Sequence, residues 1–486
     1  MARDEIYVDL FAGGGGASVG FYMATGKHVD IAVNHDMQAI AMHAENHPDT
    51  QHFVEDVFDV NPVEVCGGRP VGMLWLSPDC KHFSKAKGGK PVSCNIRSLA
   101  WVGIKWVKAV KPRVIILENV EEFRTWGPLD DNGQPDKNKM GETFKEYIRQ
   151  YEDAGYMVEY RELVASDYGA PTIRKRLFMI ARCDGRRIVW PKPTHGDPKK
   201  FPDRKIWRTA ADCIDWEVPA YSIFLTKEEG KKYGVKRPLV ENTLIRIGKG
   251  IKKFIIDNDN PYVVDSKASF VSTYYGGKPG ATARGSKTDA PVGTITAGGS
   301  RHGVVTAFLA QHNLGNIGRG AEQPMSTITA TGSQQQLVEA KVEPTDGTGK
   351  VCEFVMKMRN GNVGFRADSP MHTITAGGGH FAEVQAYIMK YYGQGEGSDM
   401  SNPTHTVTTK ERFAIIEVLG EEYVITDIAM RMFTPRELFR AQGFPEWYKI
   451  DIMYNGKVLA KTAQVRMCGN SVSPNVAEAI IRSNIM

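Results

Sequence analysis

Short apolar runs rich in β-branched and aliphatic residues recur through the first 190 residues: IYVDLF from Ile6, VDIAVN from Val29, VGMLWLS from Val71, VIILENV from Val114 and LFMIAR from Leu177. Each has the length of a strand buried on both faces. Between them, residues 37–46 and 96–110 carry apolar positions at helical spacing among strong helix formers. Strands alternating with helices over this length predict an α/β domain, a doubly wound and mostly parallel sheet with helices on both faces. Ligands of such sheets sit at the carboxyl ends of the strands, where the unusual residues of this chain fall.

The pattern changes after Pro191. Basic residues, Trp and Pro dominate to about residue 260, followed by a Gly-rich stretch of short β-like segments. A hexapeptide recurs within it: PVGTIT from Pro291, PMSTIT from Pro324, PMHTIT from Pro370 and PTHTVT from Pro403. Aromatic-led segments begin 16 residues before each of the last three copies, at Phe308, Phe354 and Tyr387, with a looser one at Phe270. Such self-similarity predicts a repeated unit, here two strands joined by a Gly-rich loop, over about residues 268–420. Helical patterns return near the end in RELFRAQGF and NVAEAIIRS. The expected division is one α/β domain over 1–190 and 465–486 and a second, β-rich domain over 191–464.

Composition narrows the class. With 486 residues, 42% apolar and 24% charged, the chain is neither disordered nor fibrous. No apolar run is long enough to span a bilayer, so no membrane association is expected. Seven cysteines at irregular spacing predict neither a disulfide framework nor a metal site, and a cytoplasmic setting follows as the default. The net charge of +5 is unevenly spread: Lys192 to Lys253 holds 15 Lys and Arg against 8 Asp and Glu. That local surplus suits a phosphate backbone, and equally an ordinary solvated surface.

The first strand runs into Asp9-Leu-Phe11-Ala-Gly13-Gly-Gly15-Gly. A glycine-rich strand-to-helix turn lets backbone approach a nucleotide-like ligand, although such turns also serve plain tight packing. Without the Lys-Ser/Thr of a P-loop, a triphosphate is not expected. Asp36, just after the second strand, stands where an acid can hold a ribose hydroxyl, and Asp56 where one can accept from an adenine amine. Ser77-Pro-Asp-Cys80-Lys-His-Phe-Ser84 follows a buried strand and presents Cys80 as a nucleophile, with Lys81 and His82 beside it to favour thiolate. Another aliphatic strand ends in Glu118-Asn119, and Asp167-Tyr-Gly-Ala-Pro-Thr-Ile-Arg174-Lys-Arg176 puts two arginines on one face.

This combination resembles the DNA (cytosine-5-)-methyltransferase family. The D-L-F-A-G-x-G-G turn at Asp9, the cysteine loop to Ser84, E-N-V at Glu118 and the arginine pair occur in the family's order. They are followed by R-E-x-x-R-x-Q-G-F-P at Arg436 and G-N-S-V at Gly469. Four positions depart from the family pattern: Asp79 stands for proline before the cysteine, Thr172 for glutamine, and Asn34 for an acid. The D-x-R-x-x-L signature survives only as Asn95 and Arg97.

The resemblance implies an S-adenosyl-L-methionine (AdoMet)-dependent, Rossmann-like catalytic domain with no metal, and S-adenosyl-L-homocysteine as product. It implies that Cys80 attacks C6 of a flipped-out cytosine in double-stranded DNA, that Glu118 holds the ring, and that Arg174 and Arg176 support the nucleotide and its phosphate. Cofactor contacts are expected from Asp9, Phe11, Gly13, Gly15, Asn34, Asp36, Asp56, Asn470 and Ser471. Ser84, Arg97, Arg359 and Arg366 are expected on the DNA, with target reading assigned to the repeats. A monomer is expected, and a cognate restriction endonuclease fits as a partner. The alternatives are an RNA cytosine methyltransferase and a catalytically impaired DNA-binding relative. A zinc deaminase is excluded because His43-Ala-Glu45 is followed by no P-C-x-x-C.

Overall fold

The computed structural model describes residues 4–78, 99–130, 135–256 and 421–486, together with 263–264, 267–273, 285–295, 302–311, 354–355, 365–366 and 415–418. Cys80, Ser84, Arg97, Arg359 and the last three hexapeptides lie outside the described residues. The chain forms two compact units, one of Met1–Asp215, Asp289–Arg301 and Phe433–Met486, the other of Trp216–Thr288 and His302–Met432.

The first unit is built on a seven-stranded sheet. Its strands are β1 (Ile6–Leu10), β2 (Ile31–Val33), β3 (Gln51–Phe53), β4 (Val71–Leu76), β5 (Val114–Asn119), β6 (Met157–Val164) and β7 (Lys175–Arg182), in the order β3-β2-β1-β4-β5-β7-β6. All run parallel except β7, which is antiparallel to both β5 and β6. Helices α1 (Gly16–Thr25), α2 (Met37–Asn46), α3 (Pro62–Cys66), α4 (Val102–Val110) and α5 (Glu142–Asp153) follow the strands.

Strand periodicity divides the core. Ile6, Val8 and Leu10 of β1 join Ile115 and Leu117 of β5 under α4 and α5, with Trp106 and Tyr147 fully buried. Tyr7, Trp75, Ile116 and Phe178 form the other face, covered by Phe21 of α1 and by Val476, Ile480 and Ile481 near the C-terminus. By that alternation Asp9 and Glu118 belong to the second face.

The second domain was expected to begin at residue 191, yet residues 191–215 and 433–464 belong to the first unit. Polar bonds explain why. Trp207 Nε1 donates to Asp167 Oδ1 at 3.0 Å, and the Asp215 amide donates to Glu437 Oε1 at 2.8 Å. A two-residue parallel pair, β8 (His195–Gly196) with β9 (Lys205–Ile206), closes this stretch.

The second unit is an antiparallel sheet in the order β10-β18-β14-β12-β11: β10 (Tyr221–Ser222), β18 (Glu421–Met432), β14 (His302–Gln311), β12 (Lys267–Thr273) and β11 (Val263–Val264). Strand β13 (Gly285–Lys287) pairs with β12 and β17 (Ile415–Val418) with β18, while β15 (Phe354–Val355) and β16 (Phe365–Arg366) form a separate ribbon. Helices α6 (Lys227–Lys232) and α7 (Glu241–Ile251) lie between β10 and β11 in the chain. Ile247, Ile251 and Phe254 pack with Phe270, Val305 and Ile428 to make its core.

The aromatic-led starts at Phe270 and Phe308 do fall in strands β12 and β14. The first hexapeptide differs from its expected strand form: Val292 makes only an isolated bridge to Thr172. Its partners Pro171, Thr172 and Ile173 are in the first unit, so it pairs with a loop there.

The chain then returns to the first unit through α8 (Pro435–Gln442), a hairpin of β19 (Met453–Tyr454) and β20 (Lys457–Val458), α9 (Lys461–Asn470) and α10 (Pro474–Asn484). Helices α1 and α10 pack so closely that a Cβ on Gly20 would lie 2.5 Å from Ala477 Cβ.

Candidate active site

Parallel register brings the strand ends to one level. Leu10 pairs with Val33 and with Leu76, Leu76 with Leu117, and Val33 with Phe53. The next residues are therefore Phe11, Asn34, Ser77 and Glu118, along the edge where α/β sheets bind ligands.

The glycine turn divides its work. Phe11 has φ +65°, a left-handed conformation that costs an aromatic residue on the order of 1–3 kcal/mol and that clusters at ligand sites. Gly13 is open, since a Cβ there would meet nothing nearer than the Phe11 carbonyl at 3.6 Å. Gly14 and Gly16 serve packing instead. A Cβ on Gly14 would fall 2.4 Å from Ser471 Oγ, and one on Gly16 2.1 Å from the Val472 carbonyl. Gly15 combines φ +74° with a close approach to Tyr448 Oη.

Asp9 is buried, and its Oδ2 accepts from Ser18 Oγ at 2.7 Å. Burial pushes its carboxyl up to about 7, against the Ser18 hydrogen bonds. Ser18 Oγ lies 2.9 Å from His43 Nε2, and His43 Nδ1 lies 2.8 Å from His52 Nε2. With Ser18 donating to Asp9, His43 donates to Ser18 and His52 to His43. His47 packs against His43 with centroids 4.5 Å apart and the rings tilted by 37°. This buried polar chain was not foreseen, because its members come from β1, α1, α2 and β3.

On the second strand end, Asn34 Oδ1 accepts from the Asp36 amide at 2.8 Å. Asp36 caps α2 by accepting from the Gln38 amide at 2.9 Å, and its other oxygen meets Arg466 at 2.6 Å. Both Asp36 oxygens therefore have protein partners. Asp56 is exposed and turns its chain by accepting from the Phe58 amide at 3.0 Å. Val54 and Phe58 beside it are also exposed, 47% and 39%, an apolar rim beside an open carboxylate.

Glu118 is 6% exposed at the end of β5, with Oε1 3.2 Å from Arg176 Nε. Asn119 ties this strand to the segment leading toward Cys80, its Nδ2 donating to the Pro78 carbonyl at 3.3 Å. Arg176 also donates from Nη1 to the Lys175 carbonyl. Arg174, its expected twin, is buried and donates from Nη1 to the Ile295 carbonyl at 3.0 Å. Ser471 is buried against Gly14 with Oγ donating to the Met467 carbonyl, whereas Asn470 is exposed. Arg366 falls in β16, in the second unit.

The G-F-P turn, from which the sequence reading took only a family signature, builds the floor of the glycine loop. Tyr448 Oη donates to the Gly14 carbonyl, Arg436 donates to the Tyr448 carbonyl, and buried Gln442 donates to the Ser471 carbonyl at 2.7 Å. Among the described residues, no cluster of His, Cys, Asp and Glu suits a metal ion, and no helix is long and apolar enough to cross a membrane.

A family model described as C-5 cytosine-specific DNA methylase matches residues 6–297 and 305–485. Type II methyltransferase M1.HphI of Haemophilus parahaemolyticus is 32% identical over 194 residues, 39% of this chain and 49% of that protein. Type II methyltransferase M.AgeI of Thalassovita gelatinovora is 30% identical over 199 residues, 40% of this chain and 43% of that protein. Type II methyltransferase M.AquIA of a Picosynechococcus strain is 26% identical over 225 residues, 44% of this chain and 89% of that protein. The match thus spans about half the length of the first two relatives.

Proposed function

We propose, from the premise that this chain belongs to the C-5 cytosine-specific DNA methylases, that it methylates C5 of a flipped-out cytosine within a specific double-stranded DNA sequence. The observation that carries the reading is the Glu118–Arg176 pair, a buried carboxylate and a guanidinium 3.2 Å apart at the carboxyl end of β5. Such a pair suits a planar base that presents an acceptor, a donor and a carbonyl along one edge.

The strand ends suit an adenosyl cofactor. Phe11 offers an aromatic face, Gly13 an open backbone, Asn34 a side-chain amide at ribose level and Asp56 an exposed carboxylate. Asp36 orders Asn34, while Asp9 and Ser471 support the glycine turn from behind. AdoMet, when bound, supplies an electrophilic methyl group on a sulfonium.

The chemistry then falls to this chain's residues. Cytosine C5 is a weak nucleophile until C6 carries a substituent. Cys80 thiolate forms the Sγ–C6 bond, and the C5=C6 electron pair becomes available at C5. Glu118 accepts from the exocyclic amine and shares a proton with N3, which neutralises the charge that develops on the ring, and Arg176 holds Glu118 in place. The methyl group that AdoMet would supply would pass to C5 with its bond pair left on sulfur, and loss of the C5 proton to a base would restore C5=C6 and expel Cys80. The second unit is assigned to reading the target sequence, with Arg359 and Arg366 in its repeats. Restriction–modification fits this activity, as a partner endonuclease would need its sites protected.

The test is covalent trapping. Fluorine at C5 cannot leave as a proton, so the Cys80 adduct persists after methyl transfer. DNA amplified with 5-fluorocytosine and incubated with protein and AdoMet should give a denaturant-stable complex that Cys80→Ala abolishes. An equal yield from Cys80→Ala, or a complex on 5-fluorocytosine RNA alone, would contradict the reading.

A further inference from the structure

Arg174 and Arg176 look equivalent in sequence, yet the protein uses them differently. Arg176 faces Glu118. Arg174 is only 5% exposed, and its charge is felt by the buried Cys468 thiol of α9. Its guanidinium reaches Ile295, 121 residues further along the chain.

Ile295 belongs to the first hexapeptide, and the strap Ala290–Ile295 is fastened along the whole arginine loop. The Val292 amide donates to the Pro171 carbonyl, and the Ile173 amide to the Val292 carbonyl, both at 2.8 Å. Thr172 Oγ1 donates to the Gly293 carbonyl at 3.3 Å, and the Ala210 amide to the Ala290 carbonyl at 2.8 Å. Val292, Ile295 and Thr172 are each at most 1% exposed. Elsewhere the loop rests on the G-F-P turn, where a Cβ on Gly443 would meet Ala170 Cβ at 3.1 Å. The strap lies in Asp289–Arg301, which belongs to the first unit and stands in sequence between two segments of the second.

We infer that Arg174 is a positioning residue for the reaction proposed above, on which this inference rests, and that it makes no contact with the nucleic acid. A phosphate contact needs donors that a polyanion can reach, and the Arg174 guanidinium is enclosed by protein. A buried guanidinium is tolerated because it is hydrogen-bonded, so removing it frees the Ile295 carbonyl and loosens the strap. Arg176 is two residues further on, the second residue of β7, and Arg174 stands just before that strand begins. The strap and Arg174 together fix the end of β7 that holds Arg176 against Glu118. The strap is thereby linked to Glu118 through the short run from Arg174 to Arg176. The departure at Thr172 fits this arrangement, because its hydroxyl is spent on the strap.

The experiment uses the full chain with AdoMet on DNA whose methylated sequence has been mapped, and compares Arg174→Met, Arg174→Lys and Val292→Pro, which removes the Val292 donor. The single-turnover methylation rate should fall about tenfold to a hundredfold in Arg174→Met, as small misplacements of reacting groups do. DNA affinity and its salt dependence should stay as in the wild type, and Arg174→Lys should recover part of the rate. Combined with Val292→Pro, Arg174→Met should cost little more than the slower single variant, since both act through one strap. A salt slope reduced by about 1 in Arg174→Met would make Arg174 a phosphate contact and overturn the inference. So would an unchanged rate, or losses that multiply in the double variant. Wild-type protein that methylates no DNA would overturn the functional reading and this inference with it, a result distinct from all the others.

Discussion

Tyr448 donates its hydroxyl proton to the carbonyl of Gly14 at 2.9 Å, across 434 residues of sequence. The bond is buried, and the phenol's own pKa is driven upward by that burial. It ties the glycine turn to the segment that follows the G-F-P turn. The Asn46 side chain adds a second clasp nearby, accepting from the Lys449 amide at 2.7 Å and donating to its carbonyl at 2.8 Å.

Tyr448→Phe leaves the ring packing and removes one donor. The Gly14 carbonyl then has no Tyr448 partner, and stability should fall by about 1–3 kcal/mol. AdoMet affinity should weaken as the turn loosens. Thermal unfolding with and without AdoMet reads both effects, and a variant as stable as the wild type would deny the bond its role.

The glycine run should split by substitution. Gly14→Ala drives a methyl group into Ser471 and the Met467 backbone, so it should unfold the first unit or lower its melting temperature strongly. Gly13→Ala has room and should melt close to the wild type, while its AdoMet affinity falls, because the added methyl projects where a cofactor approaches the turn. Calorimetric titration with S-adenosyl-L-homocysteine separates the two. If Gly13→Ala binds as well as the wild type, the cofactor does not pass over Gly13.

The histidine cluster makes stability depend on pH. Burial holds His43 well below the usual imidazole value, His47 at about 3 and His52 also lowered, with neighbouring histidines adding to the effect at His43 and His47. Their contribution is present above about 6.5, the unfolded value, and is lost as the pH falls, because only the unfolded chain takes up protons there. Asp9 acts in the opposite sense: its carboxyl is raised to about 7, so its contribution is present in acid and lost as the pH rises. At about pH 5.5 the two imidazoles of His43 and His47 outweigh one carboxyl, so these three groups should take up about one proton net on unfolding, and His52 adds to that uptake. Calorimetric unfolding in buffers of different ionisation enthalpy measures this uptake. His47→Gln should lower it by about one proton, and an unchanged uptake would mean that His47 is charged in the folded protein.

Five of the seven strands of the central sheet were legible because they are continuous apolar runs, and helix 37–46 because its apolar positions keep helical spacing. Strand β6, MVEYRELV, was missed. It is an edge strand with one buried residue in eight, so it lacks a buried strand's signature. Glu118 was legible as a carboxylate ending an aliphatic strand. The Arg466 link to Asp36 and the Tyr448 bond to Gly14 were not, because they join residues more than 400 positions apart. The two arginines read as equals because strand parity puts them on one face, and parity carries no sign of a strap arriving from residue 295.

The central claim is transfer of a methyl group to carbon 5 of cytosine in DNA. It is tested most directly by incubating unmodified genomic DNA with the protein and deuteromethyl AdoMet, digesting to nucleosides and weighing the products. The account predicts label in 5-methyl-2′-deoxycytidine alone, none from Cys80→Ala, and none in RNA treated alike. Label in an exocyclic N-methyl base, or no label from folded protein that binds AdoMet, would contradict it.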